Sequence, residues 1–233
     1  MISIENLKFT HKQSNFELYI EKLNINKSEK VIFTGPSGCG KTTLLNLIAG
    51  IILPLNGSIS YEANQLNTLS DKKRRDFRIH KIGFVFQTFE LIDYLSVLDN
   101  ITLPFRISKT LKLTKDIIDK AKNMANQVGL DNKIFLPITS LSHGEKQRVA
   151  ICRAMINNPE YIIADEPTGN LDENNKKYAM DLLLTQATKS NATLIMVTHD
   201  LSLIRHFDRN IDFASLITTP LKENFKVNQS GLK

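Results

Sequence analysis

One run of eight residues constrains this chain more than any other: Gly35-Pro36-Ser37-Gly38-Cys39-Gly40-Lys41-Thr42. It matches G-x-x-x-x-G-K-[ST], with the β-rich run Val31, Ile32, Phe33, Thr34 before it and an amphipathic pattern after it. Strand, tight turn and helix are the context that this spacing requires. The glycines let successive backbone N–H groups turn inward around a polyphosphate, and the helix starting near Lys41 adds the positive end of its dipole. Lys41 supplies a point charge for the β and γ phosphates, the Thr42 hydroxyl suits Mg²⁺, and Thr43 completes the binding set. A phosphate-binding loop is therefore the expected reading, and a simple glycine turn is the bland alternative.

A loop of this kind must hang from a sheet, and the composition permits one. The chain has 233 residues, 42% apolar and 23% charged, which suffices to bury on the order of 70% of the unfolded surface without staples. Cys39 and Cys152 are the only cysteines and stand in no C-x-x-C or Cys/His spacing, so neither a disulfide framework nor a zinc site is expected. The start, MISIENLKFT, lacks a basic segment followed by an apolar core. Thr42 to Tyr61 carries no charge, but Asn46, Gly50, Pro54, Asn56 and Gly57 interrupt it, so it reads as buried helix and turn rather than a membrane span. A soluble protein is expected, with any membrane role arriving through a partner. The net charge of +6 permits an anionic partner and proves none.

Short apolar alternations in the first 30 residues (Ile2, Ile4; Phe16, Leu18, Ile20; Leu23, Ile25) suit an antiparallel β unit. Leu44, Leu47, Ile48 and Ile51 fall on one helical face, with Gly50 as a stop. Asn56-Gly57 signals a turn into a strand over 58–61. Ser70 caps a polar helix through Arg78, and 81–87 reads as a strand. From about Thr88 to Pro159 the pattern is helical, with Thr114 as an N-cap and Gly129 as a C-cap. Strands over 161–164 and 193–197 bracket a helix over 172–189, the rhythm of a parallel sheet.

Asp165 and Glu166 end an apolar strand, where α/β proteins bind ligands. Asp165 suits Mg²⁺, and Glu166 suits activation of the water that attacks the γ phosphate. Leu141-Ser142-His143-Gly144-Glu145 is locally a capping box, S-x-x-E, ahead of an amphipathic helix. Gln87 follows a strand upstream, and His199 follows one downstream.

Taken together, these pieces resemble the nucleotide-binding subunit of ATP-binding cassette (ABC) transporters, from residue 1 to about 210. The matching motifs are the phosphate loop at 35–42, Gln87, the signature at 141–145, Asp165-Glu166, the aspartate loop Gly169-Asn170-Leu171-Asp172 and the switch histidine His199. The resemblance implies a P-loop α/β fold, with a mainly parallel sheet, an N-terminal antiparallel β subdomain and an inserted helical subdomain. It divides a single domain into a core of 1–87 and 160–217, a helical part of 88–159 and a polar tail of 218–233.

It also implies a site shared by two head-to-tail subunits, a homodimer or a pair with a second ABC ATPase. Each ATP would lie between one phosphate loop and the other subunit's Ser142, Gly144 and Glu145. His199 and Lys41 join Glu166 in catalysis, Gln87 senses Mg²⁺ and an integral-membrane permease, and Asp172 communicates across the pair. Such a subunit sits on the cytoplasmic face of the inner or plasma membrane. The runs Lys81 to Gln87, Leu98-Asp99-Asn100-Ile101 and Asp165 to Asp172 are similar to the lipoprotein-release and macrolide-export group.

Three departures stand out. His143 occupies a place usually held by glycine, which sets a side chain near the incoming phosphate. His11 stands where an aromatic normally stacks on adenine, with Phe9 and Phe16 as substitutes, so weak base discrimination is expected. No Asp-Gly hairpin follows His199, and the role of 211–233 stays open. Among rivals, soluble ABC proteins acting on nucleic acid or ribosomes resemble tandem cassettes or carry long coiled coils, and this chain has one phosphate loop and no sustained heptads. A GTPase would need N-K-x-D, yet Asn132-Lys133-Ile134-Phe135 lacks the acid. The cluster Lys72-Lys73-Arg74-Arg75 is read as a solvated helix face, and no nucleic acid partner is expected.

Overall fold

The computed structural model describes residues 1–11, 16–169 and 171–216, so Asn170 and the tail at 218–233 lie outside the described residues. The chain runs β1 (Ile2–Thr10), β2 (Glu17–Ile25), β3 (Lys30–Thr34), α1 (Lys41–Ile48), β4 (Asn56–Tyr61), β5 (Asn64–Gln65), α2 (Asp71–Lys81) and β6 (Ile82–Val85). Helices α3 (Val97–Ile101), α4 (Leu103–Ile107), α5 (Lys115–Gln127) and α6 (His143–Met155) follow. The chain then returns through β7 (Tyr161–Asp165), α7 (Glu173–Ser190), β8 (Thr193–Thr198), β9 (Arg209–Asp212) and α8 (Phe213–Leu216).

Two sheets result. The larger is parallel, in the order β6-β7-β8-β3-β9, and every residue of β7 and β8 is buried. Such strands are covered on both faces, which explains their unbroken apolar runs. Alternate residues divide between two cores. Phe33, Ile163, Ile195 and Val197 face α1, while Ile32, Ile162, Leu194 and Met196 face α6 and α7. The smaller sheet, β2-β1-β4-β5, is antiparallel and sends Ile4, Leu18, Ile20 and Ile59 into the α1 core.

The alternations around Phe16 to Ile20 and Leu23 to Ile25 prove to be one strand, paired with β1 from Ile2↔Ile25 onward. Asn56-Gly57 is not a free turn but the start of β4. A Cβ at Gly57 would lie 2.3 Å from the Asn6 carbonyl oxygen, beside the register shift in β1, so this glycine is set by a close backbone approach. Helix α2 continues to Lys81, three residues past its expected end, and feeds directly into β6.

A third core fills the helical segment between β6 and β7. Val97, Ile101, Phe105, Ala121 and Ala125 meet Val149, Cys152 and Ile156 of the α6 region. Since Ile151 and Met155 of α6 pack on the sheet, this single helix joins both bodies. Cys152 is buried, and burial pushes its thiol up to about 12, whereas Cys39 is half-exposed. Ellman's reagent should therefore titrate one thiol per native chain and two in denaturant. Two fast-reacting thiols in the native protein would contradict the packing of α6.

Candidate active site

The parallel register brings the chemistry together. Thr34 pairs with Thr198 and Asp165 with Val197, so the turns after β3, β7 and β8 leave the same end of the sheet. Between them lies a cleft of about 470 Å³. Ser37, Gly38, Gly40, Lys41, Thr42 and Thr43 form one wall, and Gln87, Asp165, Glu166 and His199 line it as well.

The loop's shape is set by its glycines. Gly38 and Gly40 have φ of 79° and 107°, backbone conformations that side chains disfavour. The Phe16 ring lies so close to Gly40 that a Cβ there would stand 2.4 Å from Cζ. Phe16 and His11 line the cleft, Phe9 does not, and both phenylalanines pack against the apolar core. Lys41 is buried, and its Nζ donates to the carbonyls of Gly35 (2.7 Å) and Pro36 (2.8 Å). Cys39 Sγ is 4.0 Å from the same amine. Gly35, Pro36 and Cys39 thus surround the lysine amine from within the loop.

Across the cleft, Asp165 ends β7 and accepts a hydrogen bond from Thr42 Oγ1 at 3.2 Å. Burial pushes its carboxyl up from the ordinary value, and the neighbouring Glu166 charge adds to this, against the Thr42 bond and the Lys41 charge. Glu166 holds a left-handed φ of 43°, unusual for a residue with a side chain and costing about 1 kcal/mol or more. Its Oε2 accepts from Thr198 Oγ1 at 3.2 Å and from the His199 amide at 3.4 Å, and His199 Nδ1 lies 2.9 Å away. The carboxylate is aimed by this grip, and the His199 ring remains 60% exposed.

Ser142, Gly144 and Glu145 stand elsewhere. They form the start of α6, where Ser142 Oγ accepts from the Glu145 amide and Glu145 Oε2 accepts from the Ser142 amide. Burial pushes the Glu145 carboxyl up, but bonds to Lys133 and Ser142 outweigh it and hold it below the usual range. Among the described residues, those that line the loop's cleft do not include this second helix N-terminus. His143 turns toward Phe89, edge to ring at 4.7 Å. The aspartate loop meets α6 through Asn175, which bonds Asp172 and Arg148 and leaves no room for a side chain at Gly144.

Sequence reasoning passed over three contributors. Thr198 is hidden because a hydroxyl at a strand end is ordinary. Asn175 follows Asp172 by one helical turn, a visible signal, since Asp172 caps α7 through the Asn175 amide. Arg153 is the one charge in an otherwise apolar run from Val149 to Ile156, and that alone marks it.

The family model described as ABC transporter matches residues 20–169. The chain belongs to this family. The ABC protein is 42% identical to the lipoprotein-releasing system ATP-binding protein LolD of Hydrogenovibrio crunogenus, over 78% of each chain. It is 36% identical to an uncharacterized ABC transporter ATP-binding protein of Mycobacterium tuberculosis, over 96% of this chain and 92% of that one. Among solved structures it resembles the dimeric ABC transporter cassette MJ0796, with a TM-score of 0.82 and 35% identity over 91% of this chain and 94% of that one. The same cassette in a post-hydrolysis state bound to ADP and Pi gives 0.80 and 34% over the same shares. The ABC protein is an ATPase subunit of a transporter.

The buried Asp165 charge predicts a trade between stability and function. A raised acid is less readily ionised in the folded state than in the unfolded chain. It therefore lowers stability as pH climbs past the unfolded value, and the loss is complete above the folded one. In the nucleotide-free protein at neutral pH, Asp165→Asn should raise the melting temperature, by about 2–4 °C for each 1 kcal/mol released. A melting temperature that falls, measured by calorimetry, would show that the Thr42 bond matters more than the buried charge.

Proposed function

We propose that this ABC ATPase hydrolyses Mg-ATP in a site completed by a second subunit, and that closure of the pair drives a membrane permease that extracts lipoproteins. One observation carries the pairing: the nucleotide cleft and the Ser142-capped start of α6 are separate in one chain, though both offer anion-binding backbone N–H groups. A head-to-tail copy would bring the second against the first, and residues 88–159 are the arm that presents it. The similarity to a dimeric cassette supports this arrangement.

Within the cleft the roles follow from chemistry. Thr42 and Asp165 present two hard oxygens side by side, a set that suits Mg²⁺, which prefers one or two protein ligands beside phosphates. When bound there, the metal neutralises charge on the phosphates. Lys41 adds a cation, and the amides around Gly38 and Gly40 cradle the oxygens. Glu166, fixed through Oε2, takes the proton of the attacking water, and His199 steadies that carboxylate. Gln87 lines the cleft from the loop after β6, and its carboxamide oxygen would be a further ligand for that metal.

Beside that loop a groove of about 900 Å³ runs between α2, β6 and α4. Phe84 and Phe86 stack at 4.1 Å along it, Ile107 is 66% exposed, and Lys72, Arg75 and Lys109 rim it. An apolar floor with a basic rim suits a short amphipathic segment of the permease, and its nearness to Gln87 gives a route from docking to the cleft. Among the described residues no helix is long and apolar enough to cross a membrane. Lipoprotein release as the cargo rests on the LolD relatives.

Glu166→Gln should lower turnover roughly 10²- to 10⁴-fold while ATP still binds. Lys41→Ala should weaken ATP binding itself. The specific activity of wild-type protein should fall on dilution as pairs separate; a constant rate per chain across dilution would reject the shared site, whatever the single variants show.

A further inference from the structure

We infer that Arg153 of α6 is a positioning residue for Gln87, holding the loop after β6 so that the carboxamide stands in the ATP cleft. The inference rests on the role given to Gln87 above and adds a residue outside the cleft to it.

The loop is strained where Arg153 grips it. Phe89 and Glu90 have φ of 66° and 49°, two consecutive left-handed residues, neither a glycine. Arg153 donates through Nη2 to the Phe89 carbonyl and through Nη1 to the Glu90 carbonyl. One guanidinium thus holds two adjacent carbonyls through two N–H groups fixed in one plane, a geometry that the shorter, rotating lysine amine does not reproduce. Arg153 is only 9% exposed and sits in an otherwise apolar stretch of helix, a costly place for a charge without a task. Burial pulls it down to about 10 against the opposing Glu90 charge, so it stays protonated at neutral pH.

The helix holds the rest of this segment too. A Cβ at Gly83 in β6 would stand 2.3 Å from the Ala154 carbonyl oxygen, so α6 lies directly on the strand leading to Gln87. At the other end of α6, His143 meets the Phe89 ring. Strand, loop and signature helix are fastened at three points, and Arg153 is the middle one. A change in the tilt of α6 is passed to Gln87, and the reverse.

The test compares Arg153→Gln, Gln87→Ala and wild type as full chains, measuring turnover, ATP affinity with a fluorescent nucleotide, melting temperature and amide exchange. Arg153→Gln should cut kcat roughly ten- to hundredfold, as misplacement of a reacting group does. ATP affinity should stay within about twofold of wild type, and exchange should quicken over residues 88–91 while β7 and β8 stay protected. Equal falls in kcat, ATP affinity and melting temperature, with exchange faster everywhere, would make Arg153 a fold-holding residue only and overturn the proposal, as would unchanged kcat. Should Gln87→Ala alone retain full turnover, the role of Gln87 falls instead. If Arg153→Gln does not fold, Arg153→Lys decides: it keeps the charge but is shorter and lacks the planar pair of N–H donors, so a smaller kcat loss with the same local exchange is expected. Wild-type kcat and exchange in the lysine variant would overturn the proposal.

Discussion

The arrangement depends on one constraint, the shared register of three parallel strands. Because β3, β7 and β8 end level, the turn after each opens at the same rim. The phosphate loop, the Asp165-Glu166 pair and His199 are far apart along the chain, and no local interaction could gather them. Hydrophobic burial does so: the two faces of the sheet are sealed by α1 on one side and by α6 and α7 on the other. Slipping one strand would turn its alternate residues toward the wrong core as well as moving its acid out of the cleft. Stability and catalytic geometry are therefore enforced by the same packing.

Against that ordered frame, local rules are broken at the rim. Glu166 takes a left-handed backbone, Asp165 keeps a buried carboxylate, and Lys41 is buried with its amine on backbone carbonyls. The Glu166 backbone and the buried Asp165 carboxylate cost stability, and all three residues line the nucleotide cleft. The same logic holds outside the cleft, where Phe89 and Glu90 are strained and Arg153 compensates. Deviations of this kind persist only where the surrounding structure overdetermines them.

Helix α6 has three duties that a single face could not meet. Its start, capped by Ser142, presents backbone N–H groups apart from the residues that line the nucleotide cleft. Its middle packs on the sheet through Ile151 and Met155, and its other side closes the helical core through Val149 and Cys152. A rigid helix clamped to both bodies can report the state of one to the other, which is what an ATPase that works on a separate machine needs.

Much of this was legible in the residues alone, for stated reasons. The strand, glycine turn and helix around 35–42 is a local chemical pattern, and β7 and β8 announce themselves because doubly covered strands are apolar throughout. Ser142 and Thr114 cap helices through interactions spanning three residues, so spacing reveals them. What sequence could not decide was everything that depends on approach between distant segments. Gly57 looks like a turn and is instead a contact with Asn6, Gly144 yields its space to Asn175, and Phe16 comes to rest over Gly40. His143 meets Phe89, and Arg153 finds two strained carbonyls more than 60 residues earlier in the chain. Short-range chemistry is written in order along the chain, whereas these contacts exist only once burial has folded one segment against another.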